Sequence, residues 1–189
     1  MATVARVRVR KREARDEPVN AIARTCAELG PWNVVALAEP LGPRHALSLR
    51  QLFDTVHGAT GIVVAGRRAD CGQGPVVVAM ESIDRLPGML RAAERLAAVS
   101  RSEVRLVIVQ DEARELEWME SQARLALAES PRIQLEPSRP ARSTAEVAER
   151  LRQLGAGFII AQFGGLVVPD GGDLRPLSTS LRCPLLLVR

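Results

Sequence analysis

The residues of this sequence that are best placed to contact a ligand follow two apolar segments with the character of buried strands. Glu81 comes directly after the segment 76–80, and Gly164 lies three residues after the segment 158–161. Open parallel sheets bind ligands in the crevice outside the carboxyl ends of their strands. We therefore predict a crevice for a small ligand in this region. The full set of candidate ligand-binding residues is Met80, Glu81, Ser82, Gly164, Gly165, Gly171 and Gly172.

Other polar side chains do not combine into a catalytic or metal-binding motif. His45 and His57 have no Cys, Asp or Glu at the spacing of metal ligands, and the hydroxyl residues at 178–180 have no base beside them. The acids between Asp111 and Glu120 fit the first turn and exposed face of a helix, where negative charge complements the helix dipole. We therefore expect that the protein is not an enzyme and holds no metal ion.

Helices and strands must position these residues, and apolar runs alternate with amphipathic stretches along the chain. Apolar runs bounded by glycine, proline or polar loops predict strands, and apolar residues at helical spacing predict helices. The predicted strands span residues 33–38, 61–66, 75–80, 104–109, 133–136, 158–161 and 184–188, and the predicted helices span 19–29, 47–57, 86–99, 113–128 and 145–154. Strands that are apolar on both faces and separated by helices predict a mostly parallel sheet with helices on both faces.

Two segments are similar enough to indicate an internal repeat. Residues 52–66 and 147–163 each contain a helix, a glycine and a buried strand that leads into a glycine-bearing loop. One interpretation is two related halves packed as a pseudo-dimer, with residues 16–74 as a shortened copy and residues 75–189 as the complete domain. The other is that any chain of alternating helices and strands resembles itself.

Basic charge is concentrated at the N-terminus. The formal net charge is +4, but residues 1–15 hold six basic residues and one acid, which leaves the remainder close to neutral. A nucleic-acid-binding domain would spread its basic residues over a face, so nucleic acid is not expected as a partner. Three interpretations of the arm remain, of which a solvated tail or edge strand is one and contact with an anionic membrane surface is another. The third, contact with nucleic acid, is not the one that this charge distribution favours. The basic residues of the arm are Arg6, Arg8, Arg10, Lys11, Arg12 and Arg15.

The remaining composition is that of an ordinary globular protein, with 47% hydrophobic residues. No apolar run is long enough to cross a bilayer, and the N-terminus lacks the apolar region of a signal peptide. We therefore expect a soluble, cytoplasmic protein. Cys26, Cys71 and Cys183 form no CxxC pair, which favours reduced thiols over a disulfide framework or a zinc site.

Four segments of the second half resemble the universal stress protein family. They are VVVAMESID at 76–84, LRAAERLAAVSRSEVRLVIV at 90–109, STAEVAERLRQLGAGFIIAQFGG at 143–165 and CPLLLVR at 183–189. The resemblance implies the α/β fold of universal stress proteins and adenine nucleotide α hydrolases. It also implies that chains pair through their last strand, as a homodimer or as an intramolecular pseudo-dimer, and that Glu81 stands where the family has an acid facing adenine.

The nucleotide-binding signature of that family is degraded in this sequence. ATP-binding members carry G-x2-G-x9-G-[ST] between their fourth and fifth strands, and its glycines let backbone N–H groups approach the phosphates. Here Gly171 and Gly172 fall at the final Gly-[ST], so the hydroxyl is missing, and Asp173 follows. The loop is too short for Gly164 and Gly165 to occupy the first two glycine positions. We therefore expect no ATP and no other cofactor.

The resemblance leaves two classes of function. The first is a non-enzymatic regulatory or stress-response module that senses a small ligand or binds a protein partner. The second is a cytosolic regulatory domain of a membrane transporter or sensor, with the arginine-rich arm next to the membrane surface.

Overall fold

Strands that are apolar on both faces must be covered on both sides, and a computed structural model of the chain shows this arrangement. It describes residues 17–29, 34–37, 46–56, 61–64, 74–128, 130–169, 177, 180–181 and 183–188. The strands are β1 (Val34–Leu37), β2 (Gly61–Val64), β3 (Val76–Met80), β4 (Val104–Ile108), β5 (Ile133–Leu135), β6 (Phe158–Gln162) and β7 (Leu185–Val188). The helices are α1 (Pro18–Leu29), α2 (Ala46–Thr55), α3 (Leu86–Ser100), α4 (Ala113–Leu127) and α5 (Thr144–Gln153).

The strands form a seven-stranded sheet in the order β1-β2-β7-β6-β3-β4-β5. Every neighbouring pair is parallel except β2 and β7, which are antiparallel. The predicted fold class, an α/β protein with a mostly parallel sheet, is therefore confirmed. The predicted strands and helices are found with boundaries that differ by a few residues at most.

Strand β3 shows how the sheet is buried from both sides. All five of its residues are at most 2% exposed. Val76, Val78 and Met80 belong to the hydrophobic cluster covered by α3 and α4, whereas Val77 and Ala79 belong to the cluster covered by α1, α2 and α5. Since successive side chains of a strand point to opposite faces, this division follows directly from the strand geometry.

Helix α5 begins after Ser143, which is its N-cap. The Ser143 hydroxyl accepts a hydrogen bond from the Glu146 N–H at 3.3 Å. In a capping box the Glu146 carboxylate would accept from the N–H of the N-cap residue, but here it accepts from the N–H of Arg142 at 2.8 Å, one residue before the N-cap. These two bonds fix the start of the helix that leads into β6.

The antiparallel junction between β2 and β7 covers the apolar edge of the last strand. Gly61 pairs with Val188 in this register. A Cβ at Gly61 would lie 2.6 Å from the Leu187 carbonyl oxygen and 2.7 Å from a methyl carbon of Leu186. Because real Cβ atoms do not approach so closely, the junction depends on the absence of a side chain at this position.

The strand order is the same on both sides of this junction. Strand β2 is followed outward by its parallel neighbour β1, and β7 is followed outward by its parallel neighbour β6. By position in the sheet, β2 therefore corresponds to β7 and β1 to β6. The sequence similarity between residues 52–66 and 147–163 pairs β2 with β6 instead. The correspondence by sequence therefore differs from the correspondence by position in the sheet.

Side chains from both predicted halves share one core. Leu49 and Phe53 of α2 lie in the same hydrophobic cluster as Val77 of β3 and Leu151 of α5. The division of the chain near residue 74 stays a prediction. The basic arm at 1–15 and the edge strand considered for it lie outside the described residues. Within the described part, no helix is long and apolar enough to cross a membrane.

Replacing Gly61 by alanine should destabilise the protein. The added methyl group would collide with the rigid backbone of β7, and overpacking of this kind costs about 1–3 kcal/mol of unfolding free energy. Urea denaturation of the purified Gly61→Ala variant would measure the loss.

The matched control is Gly88→Ala. Gly88 lies in α3, and a Cβ there would meet no atom within 4 Å. Alanine also favours the helix over glycine, so this variant should be at least as stable as the wild type. A Gly61→Ala variant with unchanged stability would contradict the β2–β7 junction.

Candidate functional site

The carboxyl ends of β3 and β6 lie side by side, because the two strands are parallel neighbours. The chain leaves β3 at Glu81 and leaves β6 at Phe163, so the loops that follow share one edge of the sheet. This is the edge at which parallel sheets bind ligands. Two of the candidate segments, the one after Met80 and the one around Gly164, are therefore brought together.

The Glu81 side chain bridges these two segments. Its carboxylate accepts a hydrogen bond at Oε2 from the N–H of Leu166. Its Oε1 accepts a longer one from the N–H of Val167, at 3.4 Å. Each carboxylate oxygen therefore has its own backbone donor in the loop that follows β6.

Gly165 leaves the space that the carboxylate fills. A Cβ at this position would lie 2.7 Å from Glu81 Oε1 and closer still to Oε2. The sequence predicts Gly165 as a ligand-binding residue because of its type. In the structure, its missing side chain makes room for a carboxylate of the same chain.

The loop is held in shape by contacts that do not involve Glu81. Gly164 has a φ of 90°, which a glycine adopts without strain, and its N–H donates to the Val168 carbonyl at 2.8 Å. The Thr144 hydroxyl donates to the Leu166 carbonyl at 2.9 Å. Val167 and Val168 are completely buried. The two N–H donors are therefore preorganised.

Helix α2 supports the start of this loop. The rings of Phe53 and Phe163 stack with their centroids 4.7 Å apart and an interplanar angle of 28°. The Phe163 N–H also donates to the Val188 carbonyl at 2.8 Å. The first part of the chain thus contributes to the packing behind the site.

The backbone of Glu81 is held independently of its side chain. The Gln110 side-chain amide donates to the Glu81 carbonyl at 3.0 Å and lies 3.1 Å from the Met119 sulfur. Gln110 follows the end of β4, the other neighbour of β3. Gln110 and Thr144 are not among the residues predicted from the sequence, although a polar residue at a strand end or at a helix start is a signal that could have indicated them.

Burial raises the pKa of Glu81 to about 7. The hydrogen bonds from Leu166 and Val167 favour the ionised form and oppose this shift, but they do not cancel the loss of solvation. Near neutral pH the carboxyl group is therefore divided between its protonated and ionised forms.

The other candidate residues have different surroundings. The Met80 side chain is fully buried in the cluster under α3 and α4, so it belongs to the core. Ser82 is half-buried, has an extended backbone and makes no side-chain capping bond at the turn that follows it. Gly164 is exposed. Gly171 and Gly172 lie outside the described residues.

Backbone amides arranged in this way are able to bind an anion. Two N–H groups converge on one carboxylate, as in the concave amide sites that bind phosphates and carboxylates elsewhere. Among the described residues, no group of three or more His, Cys, Asp or Glu is placed to hold a metal ion.

Known proteins match this chain in structure and not in sequence. No family model matches it, and no curated protein sequence matches it. A universal stress protein from Archaeoglobus fulgidus DSM 4304 superposes with a TM-score of 0.64 at 10% identity, over 92% of this chain and 65% of that one. A protein from Pseudomonas aeruginosa UCBPP-PA14 that is assigned to the universal stress proteins gives 0.60 at 14% identity, over 92% and 69%.

A third similar structure comes from a membrane transporter. The cytoplasmic domain of a prokaryotic cation chloride cotransporter superposes with a TM-score of 0.60 at 13% identity, over 89% of this chain and 68% of that domain. At such low identities the likeness concerns the fold. The chain therefore has the α/β fold of the universal stress proteins.

The Glu81 carboxyl should make stability depend on pH. Its pKa is about 7 in the folded protein and near 4.5 in the unfolded chain, so the folded state binds more protons between these values. The stability that Glu81 contributes is fully present below about pH 4.5 and falls as the pH rises to about 7. Relative to Glu81→Gln, which cannot titrate, the wild type should lose about 1–3 kcal/mol of unfolding free energy across this window.

The measurement is urea denaturation at a series of pH values. Gly165→Ala should remove the same pH dependence, because its methyl group displaces the carboxylate towards solvent. Glu94→Gln, at an exposed position of α3, serves as the control and should keep the wild-type profile. Parallel profiles for the wild type and Glu81→Gln would show that Glu81 is not buried as described.

Proposed function

We propose that the protein is a non-enzymatic regulatory module of universal stress protein type whose crevice does not bind ATP tightly. The observation that carries this proposal is the position of the Glu81 carboxylate. It occupies two backbone N–H donors of the loop after β6. This loop follows the fourth strand of the universal stress protein-like part, where ATP-binding members of the family carry their glycine signature.

Electrostatics and sequence support the loss of ATP binding. An ionised carboxylate at the two N–H groups opposes a triphosphate through like charge and leaves it without these donors. Asp170 and Asp173 add two acids to the following segment, and the hydroxyl of the family signature is replaced by Gly172. Residues 163–173 contain no basic residue that could offset the negative charge of these acids.

The surroundings of Glu81 also support a role without catalysis. A carboxyl group with a pKa near 7 has the protonation behaviour of a general acid or base. A catalytic carboxyl must also reach a nucleophile or a reacting group. Within the described residues, Glu81 forms hydrogen bonds with the N–H groups of Leu166 and Val167 and with the Gln110 amide, and these groups do not act as nucleophiles.

We infer further that the first part of the chain replaces a second subunit. The resemblance implies that universal stress proteins pair through their last strand, and in this chain β2 lies antiparallel along that strand. The equal strand order on both sides of the junction supports an intramolecular pseudo-dimer. The Gly61→Ala variant tests this inference, because it disturbs the junction directly.

Titration of the protein with MgATP should give no micromolar binding. We expect a Kd no tighter than about 1 mM, which corresponds to about −4 kcal/mol. Isothermal titration calorimetry would measure the affinity, and analysis of the supernatant after denaturation would reveal nucleotide that co-purifies. A calorimetric Kd in the micromolar range, or stoichiometric ATP in that supernatant, would contradict the proposal.

A second candidate function is the regulation of a membrane transporter. The fold similarity to the cytoplasmic domain of a cation chloride cotransporter supports it. The net positive charge of residues 1–15 supports it independently, because basic segments are attracted to anionic lipid by about 1 kcal/mol per residue near the surface.

Vesicle sedimentation would test this second function. The protein should bind phosphatidylcholine vesicles that contain phosphatidylserine and should not bind phosphatidylcholine alone. Replacement of Arg6, Arg8, Arg10 and Arg12 by glutamine should weaken binding by at least about tenfold. The matched control replaces four exposed arginines of the body, Arg91, Arg95, Arg114 and Arg132, by glutamine and should bind like the wild type. Equal binding by the two variants would exclude the arm as the contact.

A further inference from the structure

We propose that the loop Gly164–Val168 is a binding site for a small carboxylate and that Glu81 is its built-in competitor. In the structure the site is closed by the chain's own carboxylate, which an external carboxylate would displace into solvent. This inference rests on the proposed function, because it names the ligand class and the regulation of the same crevice.

The donors of this site exist without Glu81. The hydrogen bond from Gly164 to Val168 and the hydrogen bond from Thr144 to Leu166 shape the loop without involving the carboxylate. Burial of Val167 fixes the residue that carries the second donor. The N–H groups of Leu166 and Val167 should therefore keep their directions when Glu81 leaves.

The shape of the site matches a carboxylate. Two adjacent N–H groups contact two different oxygens of one carboxylate, which is a bidentate arrangement. Gly165 provides the space, since even one methyl group there would collide with the bound oxygens. Formate and acetate are the smallest ligands with this geometry and are suitable probes.

Glu81 is well suited to act as a displaceable group. Its side chain is half-buried, so the site can be reached from solvent. Gln110 holds the Glu81 backbone through a separate hydrogen bond, so the side chain can rotate outward while the end of β3 stays in place.

The test is rescue of a Glu81→Ala variant of the full chain by formate. Formate well above its Kd should raise the Tm of this variant by a few degrees relative to chloride at equal ionic strength. The wild type should respond much less, because its tethered carboxylate competes at a high effective concentration. Glu81→Gln, whose side chain still fills the site, should also respond little.

The double variant Glu81→Ala with Gly165→Ala controls for unspecific effects of the anion. The methyl group at residue 165 occupies the position of the carboxylate oxygens, so the rescue should disappear. Equal responses of the single and double variants to formate would overturn the proposal, and so would the absence of a response in Glu81→Ala.

A measurement on the wild type covers the case in which the alanine variant does not fold. At high concentration, formate should shift the amide signals of Leu166 and Val167 in a saturable way, and phosphate should do so more weakly because it is larger. Unchanged signals would count against the site. Micromolar ATP binding would contradict the proposed function alone, whereas failure of formate with no ATP binding would contradict this inference alone.

Discussion

The two-sided burial of the central strands is the constraint on which the rest of the structure depends. Strand β3 is buried on both faces, and β6 and β7 contribute to the same two clusters. A sheet covered in this way has no free face, so polar groups that serve a function can lie only beyond the strand ends. The antiparallel junction with β2 also pairs the outer edge of β7, and the loops after β3 and β6 leave the sheet side by side at one of its edges.

In the loops after β3 and β6, the balance between solvation and hydrogen bonding determines the ionisation of Glu81. Burial of Glu81 opposes its ionisation, and the two loop N–H groups favour it. The result is a carboxyl group that is neither a firmly fixed anion nor a neutral core residue near neutral pH. The loop around it resembles an amide site for an anion, with the anion supplied by the chain itself.

The fold could be predicted from the sequence because its signals are local. The runs that became β3, β6 and β7 are apolar over four or five residues, and Ser143 marks the start of α5 through a hydroxyl and its neighbours. The site could be predicted only in part. Glu81 and Gly165 were found by type and position, but the contact between Glu81 and Leu166 joins residues 85 positions apart and depends on the loop conformation. Met80 was assigned to the crevice because it ends a strand, whereas burial on that face places it in the core.

The central claim is that the Glu81 carboxyl is held against the loop after β6. Carbon-13 NMR of the Glu81 side-chain carboxyl group during a pH titration tests it most directly. We expect a titration midpoint near 7, with the amide protons of Leu166 and Val167 shifting at the same midpoint. A midpoint near 4.5, with the two amide signals unaffected, would show that the carboxyl group is in solvent and would contradict the account.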